Sequence, residues 1–356
     1  MSYTNEELSL IVLDSFEELS YKNKYDLLCG FAQTFPNFKN CAEKLIKTLS
    51  EGVYNKIREL YYSSDYSERI LKEYEDAQIE CVTYFSEDYP ERLRHTPAPP
   101  IVLYCKGNRA LLQKRLFSVV GSRRTPPSAI AACKKISQDL CAEFTVVTGI
   151  ADGADAAALQ GALLKKGAIC VLAHGFNYVY PAGNKQLLDK VILEGLAITE
   201  HLPQIAPRSY LFPVRNRIIA GLSEGTLIVS AGKKSGALIT ANYAYEYGRE
   251  LFAFPYNIGV SAGEGCNALI KKGAYLTENI LDIAAVFGLD LKPRENAKLT
   301  KEERSLLAEI KSLGEAHVME LANAMGVQSF ELAPILSSLE VKKLIVRLGG
   351  NRYAAV

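Results

Sequence analysis

The chain has 356 residues, 48% of them hydrophobic and 23% charged, ordinary globular proportions that argue against disorder and, at this length, call for two or three domains. The net charge of +1 conceals a division, because residues 1–100 hold 11 basic against 18 acidic side chains and residues 101–356 hold 30 against 22. A polyanionic partner is therefore expected on the middle or the end of the chain, not on its acidic front.

The opening MSYTNEELS is polar and acidic where a secretory signal would begin basic and turn apolar, and no apolar run approaches the ~20 residues of a membrane span. A cytoplasmic protein without membrane contact is expected. Eight cysteines, at 29, 41, 81, 105, 133, 141, 170 and 266, form no CxxC pair, so free buried thiols are expected and no metal site. Up to about Ser63 apolar residues return every three or four positions, as in Glu6 to Leu13 and Cys41 to Leu49, which predicts a small helical domain over 1–65. Residues 66–110 form a bridging extension ending in TPAPPIVLYCKGN, where three prolines exclude a helix and a short apolar strand follows.

From Leu116 short apolar runs alternate with helical stretches, predicting strands near 116–120, 144–148, 168–173, 196–200, 225–230, 250–254 and 274–277. Runs such as FSVV, CVLA and TLIV are continuous, the pattern of strands buried on both faces. The expected class is α/β, with a Rossmann-like, doubly wound, mostly parallel sheet over 111–290 whose ligands gather at the carboxyl ends of its strands. After the charged linker RENAKLTKEER, residues 298–356 carry three helical segments and two short strands around Gly349 and Gly350. That outline is a winged helix, a unit that serves DNA or protein contacts.

Chemistry concentrates at the turns. In VVGSRRTPPS, residues 119–128, Gly121 permits a sharp turn, the N–H groups of a helix starting at Pro127 or Ser128 favour an anion, and Arg123 and Arg124 add charge. A phosphate site is inferred. GxGxxG is absent, and the second strand ends in Thr148 and Gly149 with no acid placed to hold a ribose, so a dinucleotide fold is not indicated. In VTGIADGADAAAL, Asp152 or Asp155 is read as a helix cap, not as a catalytic carboxylate. LFPVRNRIIAGLS, residues 211–223, follows Arg208 and brings Arg215 and Arg217 together with Tyr210, Phe212 and Pro213, without an intervening acid. Guanidinium groups for phosphates beside an aromatic ring for a base are what a single-strand groove requires; the alternative is an ion-paired Arg217 and a core Phe212. SAGKKSGALIT adds Lys233, Lys234, Ser235, Gly236 and Thr240, and EGCNALIKKGA adds Asn267, Lys271 and Lys272. His174, at the end of the third strand, has no nucleophile in a recognisable motif beside it, and His95, His201 and His317 show no metal-ligand spacing.

The strings YPERL, PPIVLYCKG, VVGSRRT, TGIADGADAAAL, NYVYPAGN, FPVRNRIIAGLS, SGALITANYAYEYGRE and GCNALIKKGA follow in fixed order, and together they resemble the DNA processing protein A family. The resemblance implies a Rossmann-like domain that binds single-stranded DNA, forms a homodimer and loads RecA recombinase on incoming strands during natural transformation, with neither cofactor nor catalysis. Position by position it gives Gly121, Ser122 and Arg123 as phosphate contacts, then Phe212, Arg215, Asn216 and Arg217, then Ser235, Gly236 and Thr240. Thr148, Gly149, Lys233 and Asn267 complete the expected groove. The helical front is similar in position to the family's sterile-alpha-motif-like (SAM-like) domain and the C-terminal piece resembles its winged helix. The chain departs from the pattern at Thr148, Asp152, Ala154 and Leu159, losing a basic group and a histidine, and at Ser230 and Tyr256, where the family commonly has Glu and Gly. Two rivals remain: a Rossmann-like enzyme that binds a nucleotide or cleaves a nucleoside monophosphate, for which a PGGxGTxxE-type motif is missing, and a winged-helix transcription factor with an α/β sensor.

Overall fold

Every run read as a strand in the central region becomes one: β3 (Leu116–Val120), β4 (Thr145–Thr148), β5 (Ala168–Val171), β6 (Leu196–Thr199), β7 (Gly225–Ile228), β8 (Glu250–Ala253) and β9 (Tyr275–Leu276). The computed structural model describes residues 3–20, 23–26, 49–289, 299–342 and 344–355. Its contacts divide into two units, Met1–Leu289 and Asp290–Val356.

In the first unit these strands join two earlier ones, β1 (Glu80–Thr83) and β2 (Val102–Gly107), in a nine-stranded sheet of order β1-β2-β6-β5-β4-β3-β7-β8-β9. From β6 to β9 all pairings are parallel. Chain order therefore runs outward from β3 in one direction through β4, β5 and β6, then returns to the other side of β3 for β7, β8 and β9. Ligand crevices open where strand order reverses in this way, because the loops on either side diverge. The continuous apolar runs are explained by their burial: Phe117 and Val119 enter the layer on one face with Val146, Cys170 and Leu227, while Leu116 and Val120 enter the other with Val147, Ile169 and Ile228. Ser118, the one polar residue of β3, hydrogen-bonds Thr226 of β7 at 2.7 Å, so its burial leaves no unpaired hydroxyl.

Two strands upstream of the predicted series extend the sheet. β1 (Glu80–Thr83) and β2 (Val102–Gly107) pair antiparallel with each other, and β2 pairs antiparallel with β6. Their apolar residues also close the core of the helical front, where Leu10, Ile11, Leu13, Ile57, Ile70 and Tyr74 pack against Cys81, Val102 and Tyr104. Asp14 is tied into this junction by Tyr104 Oη at 2.7 Å and Lys24 Nζ at 2.9 Å. The helix Ser64–Asp76 runs across position 65, where composition suggested a boundary. The segment from Cys41, read as helical, lies outside the described residues as far as position 48.

The second unit holds the helices Lys301–Leu313, Val318–Met325 and Ser329–Val341 with a three-stranded antiparallel sheet. Two of its strands, β11 (Ile345–Leu348) and β12 (Arg352–Ala355), are those expected around Gly349 and Gly350. The third, β10 (Glu315–His317), is too short to show a period in the sequence. Among the described residues of the chain, no helix is long and apolar enough to cross a membrane.

Candidate nucleic-acid interface

The turn after β3 is fixed by close approach. A Cβ on Gly121 would stand 2.7 Å from Ala154 Cβ and 3.0 Å from Ser230 N. Gly153, at φ +80°, would place a Cβ 2.4 Å from the Ser122 carbonyl oxygen, so the turns after β3 and β4 touch through a position only glycine can occupy. Ser122 N–H donates to the Ser230 carbonyl at 2.9 Å, and the Thr125 hydroxyl donates to the Ser122 carbonyl at 2.7 Å. Gly121 and Ser122 thus shape the turn instead of offering free N–H groups to an anion. The helix that follows starts at Pro127, as expected, and Arg123 projects exposed from the turn.

Beside that turn, at the carboxyl ends of β3, β4 and β5, lies an open crevice with a volume of about 90 Å³, too small to enclose a drug-sized ligand. Arg123 forms its lip, Ile150 to Asp152 one wall, His174 and Tyr180 another, and Phe212 and Arg215 the side formed by the helix Leu211–Leu222. The Tyr180 and Phe212 rings are 5.5 Å apart and inclined at 58°, and the Arg123 guanidinium lies 5.9 Å from the Phe212 centroid. A cation above one ring of an aromatic pair, open to solvent, presents charge for a phosphate beside a π face for a base.

Arg215 departs from the expectation of a solvated phosphate ligand. It is 6% exposed, donates to the Val171 carbonyl at the end of β5 and donates through Nε to Asn216 Oδ1 at 3.1 Å. Burial lowers its pKa, with the Asp155 charge opposing that shift. Asp155 is likewise buried and its pKa raised by desolvation, against the attraction of Arg215. Both crowd Gly149, where a Cβ would stand 2.4 Å from Asp155 Oδ2 and 2.7 Å from Arg215 Nη2. The crevice floor is thus a near-neutral arrangement of opposite charges. The cap position of the helix Ala154–Leu163 is Gly153, with no side-chain capping bond, which corrects the reading of Asp152 or Asp155 as its cap.

Arg217 does not reach the crevice. Its guanidinium pairs with Glu200, with side-chain exposures of 7% and 9%, and donates to the Ala98 carbonyl at 2.6 Å. Two residues along a helix is a turn of about 200°, so Arg215 and Arg217 point to opposite sides. Thr148 and Thr240 are 0% and 1% exposed and present no hydroxyl to solvent. Asn267 holds Tyr256 by its backbone, accepting from N–H at 3.0 Å and donating to the carbonyl at 2.8 Å, a structural clasp and not a ligand contact. Lys233 is exposed and 3.5 Å from Glu264, while Asn216 Nδ2 reaches the Gly236 carbonyl at 3.5 Å and so joins the helix to the turn containing Ser235. Of the expected residues, Arg123, Phe212 and Arg215 line the crevice.

Three polar lining groups were not assigned to the site from sequence. Tyr180 sits in NYVYPAGN, which carries no charge to attract notice. His174 is 1% exposed and makes the hydrogen bond expected of a strand-end loop residue, from Nδ1 to the Gly175 carbonyl at 3.0 Å. Burial lowers its pKa, more than the carbonyls of Gly175 and Tyr180 raise it, so the ring is neutral near pH 7. Asp152 Oδ1 accepts from Asn184 Nδ2 at 3.2 Å. Among the described residues no group of His, Cys, Asp and Glu is arranged to hold a metal.

A family model described as DNA recombination-mediator protein A matches residues 80–288, from the first residue of β1 to the end of the central sheet region. The chain is 37% identical over 209 residues to the DNA processing protein DprA of Bacillus subtilis, covering 58% of this chain and 70% of that protein. It is 32% identical over 289 residues to the putative DNA processing protein DprA of Mycobacterium tuberculosis, covering 74% and 73%. Among solved structures, DNA processing protein A from Streptococcus pneumoniae aligns with a TM-score of 0.69 at 31% identity, over 80% of this chain and 98% of that one. DNA processing protein A from Helicobacter pylori, described for its single-stranded DNA binding mode, aligns with a TM-score of 0.54 at 28% identity, over 59% and 95%.

Proposed function

The chain belongs to the DNA recombination-mediator protein A family, and on that premise we propose that it is a cytoplasmic, non-catalytic protein that binds single-stranded DNA at the carboxyl ends of β3, β4 and β5. The observation that carries this reading is the exposed Arg123 guanidinium set over the Phe212 ring, itself beside the Tyr180 ring, at the mouth of an open crevice. Phosphates and base faces are common to all sequences, and a stacked base is accessible only when its strand is unpaired. Non-catalysis is favoured because the sequence shows neither a recognisable nucleophile motif nor a PGGxGTxxE-type motif, and the carboxylate that lines the crevice, Asp152, is hydrogen-bonded by Asn184.

Within the same reading the protein acts as a homodimer, protects incoming strands and passes them to RecA recombinase during natural transformation. The helical front is its SAM-like domain, and the second unit is a winged helix. The helix Ser329–Val341 of that unit carries Glu331 and Glu340 and no Lys or Arg, which favours protein contact over a phosphate backbone.

Titration of a homopolymer single strand against a duplex of equal length, at several salt concentrations, tests the reading. The single strand binds more tightly, and binding weakens as salt rises. Equal or tighter binding to duplex overturns it. Turnover of a nucleotide or nucleoside monophosphate that copurifies with the chain would overturn its non-catalytic part.

A further inference from the structure

The crevice contains features that a phosphate site does not need. At its floor Arg215 is already accompanied by Asp155, and at its wall Asp152 places a second carboxylate on the path of any phosphate entering from the lip. Exposed Arg123 at the lip is the better place for a phosphate. The inner groups have a different chemistry. The Gly175 carbonyl can only accept, so His174 carries its proton on Nδ1 and Nε2 is a lone-pair acceptor in the neutral ring. Nε2 is buried and, among the described residues, without a hydrogen-bond partner. Asp152 uses Oδ1 for Asn184, and its other oxygen is a second acceptor. Arg215 supplies a donor, and the Tyr180 and Phe212 pair supplies a flat apolar wall.

Resting on the single-strand reading above, we infer that this crevice admits one nucleobase and prefers guanine, whose Watson–Crick edge offers two neighbouring donors, N1–H and the N2 amino group, beside the O6 acceptor. The donors match Asp152 and the His174 Nε2 lone pair, and O6 matches the guanidinium of Arg215. Thymine sets a single N–H between two carbonyl oxygens, and those oxygens meet the site's acceptors unfavourably. A base mismatched in this way leaves buried acceptors unpaired, which is the larger part of polar discrimination. Asp152 and His174 are thus specificity-determining residues on a site whose remaining contacts are indifferent to sequence.

The test uses the full chain and 20-nucleotide strands: oligo-dT, oligo-dT with guanines spaced too widely to self-associate, and the same strand with inosine at those positions. Guanine raises affinity about tenfold over dT, within the range of a good bidentate base contact. Inosine, which lacks the N2 amino group, loses most of that gain. In Asp152→Ala, with a thermal midpoint equal to that of the parent, the guanine-to-thymine ratio falls toward one. Equal affinity for all three strands overturns the inference and leaves the single-strand reading intact. A guanine preference that Asp152→Ala does not change places the reader elsewhere and also overturns it. Failure to bind any single strand overturns the single-strand reading itself. Binding of free guanosine monophosphate by a chain that ignores strands shows that the crevice serves a mononucleotide instead.

Discussion

Arg215 and Arg217 lie two positions apart in one helix, and their fates differ because a helix turns by about 200° over that interval. Their sequence context, RNR with an aromatic three residues before it, announces charge but not direction. Arg217 is a structural residue: both it and Glu200 are more than nine-tenths buried. Removing one partner of such a pair strands the other charge, so Arg217→Ala should lower unfolding free energy by about 3–5 kcal/mol in urea denaturation. Any folded fraction should retain the parent's dependence of DNA affinity on salt. Arg215→Ala should cost stability as well, since it frees the Val171 carbonyl at the end of β5, and a change in binding for this variant cannot be interpreted without its melting curve. Phe212 permits a cleaner experiment. It is half-buried with its ring tilted against that of Tyr180, and Phe212→Ala should weaken single-strand binding by about 1–3 kcal/mol while leaving the salt slope unchanged, because stacking releases no counterions. An altered slope with unaltered affinity would show that the ring does not stack on a base.

At the scale of elements, the strands were legible because burial on both faces leaves an uninterrupted apolar run, and the helix starting at Pro127 because proline tolerates the first helical turn. The contacts between turns were not legible. Gly153 holds the turn after β4 against the carbonyl oxygens of Ser122 and Arg123, and nothing in the string DGAD distinguishes it from an ordinary helix start. Gly153→Ala should therefore destabilise by at least about 1 kcal/mol, from both its positive φ and the backbone clash, read as a lower thermal midpoint. In the second unit, Glu303 accepts from Lys342 at 2.6 Å and from Ser338 at 2.5 Å. Those bonds, that of Lys342 first, hold its pKa down to about 2 from an ordinary 4.5. A depressed carboxyl contributes stability that is complete above the unfolded value and is lost as pH falls through the folded one. Protection of the amides of Leu306, Leu307 and Ile310 against exchange, relative to the intrinsic rate at each pH, should accordingly fall between pH 4.5 and about 2, and Glu303→Gln should remove that part of the pH dependence. Exchange in the variant that follows the parent's pH profile would exclude Glu303 as its source.

For the whole molecule, composition located the basic excess in the region that forms the crevice, yet neighbour relations were beyond its reach. The order β6-β5-β4-β3-β7-β8-β9 follows the expected doubly wound pattern. The short apolar strand expected after the prolines is β2, but β1 and the pairing of β2 with β6, about 90 positions away, were hidden, because a short strand carries no mark of so distant a partner. The site was legible to the same depth: the charged and aromatic residues of its lip could be named, but not the carboxylate and the neutral imidazole inside, whose roles arise from burial and tautomer. Central to the account is that a strand's phosphates meet Arg123 at the lip of the crevice. Arg123 is exposed, so Arg123→Ala should fold like the parent, and comparison of their single-strand affinities across a salt series tests that claim most directly. The slope of log affinity against log salt should fall by roughly 0.7, the single-strand value for one lost phosphate contact, with an equal thermal midpoint; an unchanged affinity and slope in a fully folded variant would contradict the account.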